Sequence, residues 1–284
     1  MPERSAETTL TFKKLFHPTD FSADSQTALI HALKLALVTK ADLSMMHIDS
    51  ESARENFEDF PRLSQILERW NLLPPNSAED HVSRLGLSVT KSRAVAKNPT
   101  EALLRHLDSH PADLLVMATH QHDGLNRWQH QTVAEPVARG SHTPTLFVPT
   151  HVEGFVSAET GEPKLRRVLI PVSETSNPQT AVDITAQLAL TLDCERLTGI
   201  LIHVGNDDML RSLNYPTRKG LVWRTMICHG NIVDVILGMG ADFDVDLIVM
   251  TTEGHHSLLD MMRGSTMERV LRGARCPLLA IPVR

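Results

Sequence analysis

Two glycines ten positions apart follow the apolar run DLIVM. Gly254 and Gly264 frame this loop, and Ser265 and Thr266 open the amphipathic segment that comes next. Glycine lets backbone amides come close to a ligand, and the amino end of a helix offers unpaired amides and a favourable dipole to an anion. Arg263 adds positive charge at the same point. The residue types and their spacing therefore permit a phosphate-binding loop.

The loop does not follow the two common nucleotide-binding motifs. A P-loop needs a lysine directly after its last glycine, and Ser265 stands at that position here. The dinucleotide fingerprint follows the first strand of its domain, whereas this loop follows a late strand. The function of the loop therefore depends on the elements that position it.

Those elements occur twice in the chain. Residues 112–149 align with residues 245–282 without a gap at an offset of 133, so that Asp113 meets Asp246. The segments KKLFHPTDFS and RRVLIPVSET match at an offset of 153, which leaves about twenty extra residues in the first copy. We expect this insert in the polar stretch 51–83. A gapless match of this length indicates a tandem duplication.

Each copy alternates apolar strands with amphipathic helices. LFHP and VLIP open the copies, DLLVMA and DLIVMT come later, and TLFVP and LLAIPV close them. Strands that are apolar throughout are typical of a parallel sheet covered by helices on both faces. The sequence predicts an α/β fold with two tandem doubly wound parallel-sheet domains, 10–150 and 165–284. The segment 151–164 carries glycine, proline and charge without periodicity, and it is the expected linker.

Ligands of such sheets bind beyond the carboxyl ends of the strands. In the second copy the residues predicted at those ends are Pro171, Val172, Ser173, Val204, Met250 and Thr251. With the glycine loop they form the candidate ligand site of that copy.

The composition limits the classes of partner. A net charge of −6 gives no general attraction to nucleic acid or to an anionic membrane surface. No apolar run approaches the roughly 20 residues that span a bilayer, and the first residues lack an apolar signal core. The cysteines Cys194, Cys228 and Cys276 show no metal-type spacing. We expect a cytoplasmic protein that binds neither nucleic acid nor membrane.

Together these motifs resemble the universal stress protein family in its tandem form. The resemblance rests on HPTDFS, the DLxVM strand, the pattern G-x2-G-x9-G-[ST] and the closing CPLLAIPV, and it covers nearly the whole chain. It implies the flavodoxin-like architecture of the adenine nucleotide alpha hydrolases for each domain. In that family the glycine loop wraps the triphosphate of ATP, and an acidic residue after the first strand contacts the nucleoside. Members without the motif do not hold ATP.

The resemblance also implies that the two domains pair about a pseudo-twofold axis through their last strands. This pairing would cover sheet edges that are otherwise exposed. We also expect nucleotide binding to order the loop 251–264 and so to change a surface that a protein partner reads, although the sequence does not identify this partner. Association of the whole chain into a homodimer is left open.

The second copy departs from the family pattern at three positions. Its motif begins with Thr251 in place of the first glycine, and Ser173 replaces the acidic residue after the first strand. Glu253 stands where the family often has histidine, and its carboxylate would repel a polyphosphate unless a divalent cation or an arginine offset it. Since the other two glycines remain, the second copy is predicted to bind ATP, with Mg²⁺ as the candidate counter-ion.

The first copy departs further. Its motif reads Ala118, Gln121, Gln131 and Thr132, so every glycine is lost, although Asp20 keeps the acidic position after the first strand. A glutamine side chain where backbone must approach phosphate is expected to close this site to nucleotide. The first copy is predicted to be a structural or partner-binding domain.

Three alternatives stay open at this stage. The loops could be relics with no ligand, the second copy could be a slow ATPase that uses Glu253, or the first copy could bind another small ligand or a metal. No catalytic set is evident, so any hydrolysis should be slow. The loop histidines His120, His122, His130, His255 and His256 show no clean tetrahedral zinc pattern.

Overall fold

The computed structural model describes residues 12–50, 57–119, 133–174, 176–206, 208–253 and 266–283. The strands of the first half are β1 Lys14–Pro18, β2 Asp42–Asp49, β3 Val89–Val95, β4 Leu114–Thr119 and β5 Thr145–Pro149. Those of the second half are β6 Arg167–Val172, β7 Leu197–Val204, β8 Leu221–Cys228, β9 Leu247–Glu253 and β10 Leu278–Val283. The α-helices are α1 Ala23–Thr39, α2 Leu63–Arg69, α3 Pro99–Ser109, α4 Ala134–Ser141, α5 Pro178–Thr191, α6 Asp208–Ser212, α7 Ile232–Asp242 and α8 Thr266–Gly273. Two short 3-10 helices cover Phe57–Asp59 and Glu79–Leu85.

The ten strands of the described residues form one sheet in the order β3-β2-β1-β4-β5-β10-β9-β6-β7-β8. Each half contributes the same arrangement, with its first strand between its second and fourth strands. Neighbouring strands are parallel within each half. The predicted α/β fold with a doubly wound, mostly parallel sheet is confirmed.

The two halves meet where β5 pairs with β10 in antiparallel orientation. The register places Leu278 opposite Phe147, Leu279 opposite Leu146, and Ala280 opposite Thr145. The predicted pairing of the final strands TLFVP and LLAIPV is therefore confirmed. Because each half ends in a buried strand, pairing removes two apolar edges from solvent at once.

Helices cover both faces of the sheet and create two hydrophobic cores. One core contains α1 and α5 together with residues from both ends of the sheet. The other lies beneath α3, α4, α7 and α8 and includes the fully buried Phe147 and Leu278 at the junction of the halves. Side chains that alternate along each strand supply both cores, which explains why the central strands are apolar throughout.

The aspartates that begin the DL strands have a structural role. Asp113 accepts hydrogen bonds from the backbone amides of Lys13 and Lys14, at 2.8 and 2.9 Å. Asp246 accepts them from the amides of Arg166 and Arg167, at 2.7 and 2.8 Å. Each carboxylate thus ties the start of the first strand of its half to the start of the fourth.

The insert packs against the connection between the halves. Trp70, directly after α2, donates its indole N–H to the carbonyl of Ala158 at 3.1 Å. Gly161 has a φ of +68°, and a Cβ there would lie 2.4 Å from the Trp70 ring, so glycine allows the ring to pack on this segment. On the other side of the connection, the backbone amide of Phe155 donates to His31 of α1.

Two features differ from the sequence expectation. The edge strands β3 and β8 were not predicted, because residues such as Lys91, Arg93 and Arg224 interrupt their apolar pattern. Within the insert, the sequence PRLSQILERWNLLPP predicts an amphipathic helix that ends at the pair Pro74-Pro75. Instead α2 ends at Arg69, and an irregular turn precedes Pro74.

Candidate functional site

A cavity of about 520 Å³ lies beyond the carboxyl ends of β1, β2 and β4. This is the edge of the sheet at which the sequence predicts ligand binding. The volume falls in the range of pockets that hold small molecules and cofactors. The described residues that line it are Pro18, Thr19, Asp20, Ser25, Met46, His47, Ile48, Pro99, Leu103, Met117, Ala118, Thr119, Val133, Ala134, Glu135, Leu271 and Arg272.

Part of the cavity wall is apolar and part is polar. Met46, Leu103 and Met117 are buried core residues, so they give a firm surface for an apolar group. Thr119 is 7% exposed, and its hydroxyl oxygen has no hydrogen-bond partner within the described part of the chain. A buried hydroxyl without a partner is costly, and a ligand donor or acceptor would remove that cost.

Asp20 lies at the exposed rim of the cavity. Its Oδ1 accepts hydrogen bonds from the amide of Ser22 at 2.9 Å and from the hydroxyl of the same residue. Ser22 is also the N-cap of α1 and accepts from the amide of Ser25. The start of α1 therefore fixes the position of the Asp20 carboxylate beside the cavity.

Two histidines occupy equivalent positions in the halves. His47 places Nδ1 2.7 Å from the carbonyl oxygen of Thr19, and His203 places Nδ1 2.9 Å from that of Val172. Because a carbonyl only accepts, Nδ1 carries the proton in both rings. Each ring thus joins the carboxyl ends of the first two strands of its half. This hydrogen bond explains why both halves have a histidine at the same place in the second strand.

His47 is further held by a stack of rings and charges. Phe21 stacks on it with ring centroids 4.1 Å apart, and Phe60 of the insert packs edge-on against Phe21. Arg93 lies over the Phe21 ring, with Cζ 5.6 Å from the ring centroid, and binds Asp49 through two nitrogens. The insert therefore supports one wall of the cavity as well as the connection between the halves.

Helices α4 and α8 carry a glutamate and an arginine at equivalent positions, and one residue of each set lines the cavity. Glu135 and Arg139 of α4 correspond to Glu268 and Arg272 of α8 at the duplication offset. Arg272 pairs with the buried carboxylate of Glu268. Burial raises the pKa of Glu135, whereas the charges of Arg272 and Arg139 lower it. Arg272 thus acts electrostatically on a carboxylate of the other half.

Several residues of the predicted second-half site lie at the same edge of the sheet. Pro171 and Val172 end β6, and Ser173 follows them. Val204 ends β7, and Met250 and Thr251 lie near the end of β9, which is adjacent to β6. Thr251 hydrogen-bonds through its hydroxyl to the hydroxyl of Ser176 at 2.8 Å. This bond links β9 to the turn after β6, at the position where the family pattern has glycine. A nucleotide bound at this predicted site would have to fit beside the hydrogen bond between Thr251 and Ser176.

Several predicted residues lie outside the described parts of the chain. They are Gly254, Arg263, Gly264, Ser265, Gln121, Gln131, Thr132 and the loop histidines. Thr266 is described, and it is the first residue of α8. Ala118 and Asp20 both line the first-half cavity. The prediction that glutamines close the first site therefore stays a prediction.

Within the described residues, no group of His, Cys, Asp or Glu side chains is arranged to hold a metal ion. No described helix is long and apolar enough to cross a bilayer. The three cysteines are unpaired, and burial raises the pKa of the thiols of Cys194 and Cys276 to about 11 and about 12. Thiols with such pKa values form little thiolate at neutral pH.

Sequence reasoning missed Glu135 and Arg272 as cavity residues. Both belong to the aligned segments, and the shared offset of Glu135 and Glu268 was visible. The missing information was spatial, because only the pairing of β5 with β10 brings α8 to the cavity of the other half.

Comparison with known proteins agrees with this architecture. The model of the universal stress protein family matches residues 11–149 and 206–282. A universal stress protein from Archaeoglobus fulgidus DSM 4304 has 16% identity and a TM-score of 0.65, with 96% of this chain and 98% of that chain covered. A protein of unknown function from Pseudomonas aeruginosa PAO1 has 11% identity and a TM-score of 0.60, with 98% and 95% covered.

A universal stress protein solved in complex with cAMP has 23% identity and a TM-score of 0.35, and covers 49% of this chain and 98% of its own. No curated protein sequence matches the chain. At these identities the structural neighbours show the fold alone. The family match spans well over half of the residues, and the chain belongs to the universal stress protein family.

Proposed function

We propose that this universal stress protein is a stress-response module that binds an adenine nucleotide in its second half. The carrying observation is that α8 begins at Thr266, directly after the Gly264-Ser265 pair of the loop motif. Its first amides have no partner within the helix and favour an anion. β9, which precedes the loop, lies beside β6, so Met250 and Ser173 belong to one edge of the sheet.

The same proposal includes the organisation of the chain. The repeated strand order supports two domains, 10–150 and 165–284, joined by residues 151–164. Binding would order the loop after β9 and change a surface that a protein partner reads. A cytoplasmic location is supported by the three unpaired cysteines. ATP, with Mg²⁺ to offset Glu253, is the proposed ligand.

Calorimetric titration of the full chain with ATP and Mg²⁺ tests this proposal. One site per chain is expected, and Gly264→Gln, which copies Gln131 of the first half, should abolish it. Unchanged binding by Gly264→Gln would exclude the second-half loop as the phosphate site. ATP turnover that Glu253→Gln abolishes while binding persists would instead favour slow hydrolysis.

The first-half cavity favours a second candidate function. Its volume of about 520 Å³, its apolar wall and its unpartnered Thr119 hydroxyl suit a small ligand. Asp20 would accept a hydrogen bond from a ligand hydroxyl or amine, as the family resemblance implies for the acidic residue after the first strand.

A matched pair of variants separates the two sites. Asp20 and Ser173 hold equivalent positions at the duplication offset of 153. Asp20→Asn should weaken a ligand of the first-half cavity, while Ser173→Ala should weaken a ligand of the second half. Equal effects of both variants on one ligand would contradict the assignment of separate sites.

A further inference from the structure

Arg272 belongs to the second half but lines the cavity of the first half. It lies in the last turn of α8, beside Leu271, and both face the cavity together with Val133, Ala134 and Glu135 of the first half. The antiparallel pairing of β5 with β10 brings these segments together. The cavity is therefore composite, and one half alone would lack this part of its wall.

The first-half residues at this place form the amino end of α4. Val133 occupies the N-cap position, and no side chain of the described residues caps the helix there. The first amides of a helix have no partner within the helix, and the helix dipole makes this end attractive to an anion. The buried, unpartnered Thr119 hydroxyl lies on the same cavity. Two independent features thus leave polar groups here for a ligand.

The charges of the described lining residues limit the size of that anion. Arg272 is the one arginine or lysine among them, while Asp20 and Glu135 supply two carboxylates. A triphosphate would bring several negative charges against a single guanidinium. One anionic group is a better match, particularly as burial favours the neutral form of the Glu135 side chain by raising its pKa.

The guanidinium of Arg272 has more hydrogen-bond donors than its ion pair within α8 requires. Arg272 pairs with Glu268 one turn earlier, and its side chain remains 44% exposed. A guanidinium has five N–H donors in a planar fork, so one carboxylate leaves donors for a second acceptor. Glu268 is buried, and its ion pair with Arg272 restricts the side chain of this cavity-lining arginine.

We propose that Arg272 binds the single anionic group of a small hydroxylated ligand in the first-half cavity, so that the second half completes the site of the first. A nucleoside monophosphate has the required chemistry: a base for the apolar wall, ribose hydroxyls for Asp20, and one phosphate for Arg272 and the start of α4. Its binding would overturn the prediction from the sequence that the glutamines of this copy close the site to nucleotide. This inference rests on the proposed ligand-binding function of the first-half cavity. It adds that the two halves act on one ligand.

Titration of the full chain with AMP and with adenosine tests the inference. AMP should bind at least about tenfold more tightly, because a charge-assisted hydrogen bond contributes on that scale. Arg272→Gln should remove this difference and leave adenosine binding unchanged. Arg269→Gln is the control, since Arg269 lies exposed on the same helix and should keep the full difference.

The outcomes distinguish this inference from the function on which it rests. Adenosine binding that Asp20→Asn weakens, without an advantage for AMP, would overturn the role of Arg272 and retain the cavity as a ligand site. An AMP advantage that persists in Arg272→Gln would also overturn it. Failure of both ligands to bind would reject the cavity function together with the inference.

Discussion

Acidification should weaken the contact between α1 and the segment that connects the halves, because this contact depends on one buried histidine. His31 is fully buried, with Nδ1 2.8 Å from the carbonyl oxygen of Thr27 and Nε2 3.0 Å from the amide nitrogen of Phe155. The carbonyl must accept and the amide must donate, so Nδ1 carries the proton and Nε2 is bare. A second proton on Nε2 would face the Phe155 N–H and break this contact.

The direction of the pH effect follows from the same geometry. Burial lowers the pKa of His31 from 6.5 to about 4. The contribution of neutral His31 to the free energy of unfolding is present in full above pH 6.5. It is lost as the pH falls towards 4, because the ring takes up a proton in the unfolded chain before it does so in the folded chain. At about pH 5, some 1.5 units below the unfolded pKa, the loss is about 2 kcal/mol, since each unit corresponds to about 1.4 kcal/mol.

His31→Gln isolates this contribution from that of other titrating groups. Buried His17 also has a pKa lowered to about 4 and loses stabilisation over the same range in both proteins. The variant should be less stable at about pH 7.5, by about 1–3 kcal/mol, because the Phe155 amide loses a well-placed acceptor. Between about pH 7.5 and pH 5 its free energy of unfolding should then fall by about 2 kcal/mol less than that of the parent.

Urea unfolding followed by tryptophan fluorescence measures this difference, and NMR titration of the ring gives the pKa directly. The exposed His229 provides the control, and between about pH 7.5 and pH 5 the unfolding free energy of His229→Gln should fall by the same amount as that of the parent. Parallel curves for parent and His31→Gln, or an NMR pKa for His31 near 6.5, would refute the reasoning.

Three further predictions concern the packing and the thiols. Gly161→Ala should destabilise the chain and change the fluorescence of Trp70, because the new Cβ would lie 2.4 Å from that ring at a φ of +68°. Asp246→Ala should lower the unfolding free energy by about 1–3 kcal/mol in chemical denaturation, since two backbone amides lose their acceptor. Cys276 should react with a disulfide reagent at about pH 8 only after unfolding, because burial raises its thiol pKa to about 12. Fast reaction of the folded chain would show that this thiol is accessible.

The sequence predicted the central strands well because their pattern is simple. β4, β5 and β10 are buried on both faces, and such strands appear as continuous apolar runs. The edge strands β3 and β8 have one neighbour each and mix exposed charges with apolar residues, so no clear period marks them. Pairing partners, rather than local propensity, determine that these two segments are strands.

The candidate sites were predictable only as far as one copy of the repeat could show them. Asp20 follows β1 by two residues and Ala118 is the last but one residue of β4, so their positions along the strands were enough to assign both to this edge of the sheet, where they line the first-half cavity. Arg272 could not be assigned to that cavity, since it lies in the other copy and reaches the cavity through pairing of the halves. The bond between Thr251 and Ser176 was also missed, because nothing in the spacing of the two residues indicates contact.

Helix α8 contributes to both candidate sites, so a sequence change in one copy of the repeat can affect the site of the other. Its first residue, Thr266, follows the glycine loop of the second half, and its last turn carries Arg272 to the first-half cavity. If a nucleotide at the loop orders the start of α8, the same rigid helix shifts or fixes the guanidinium at its other end. If the proposed functions hold, a ligand of one half would thus influence the ligand of the other through the single helix α8. Two identical sites in separate chains would have no need of such a coupling.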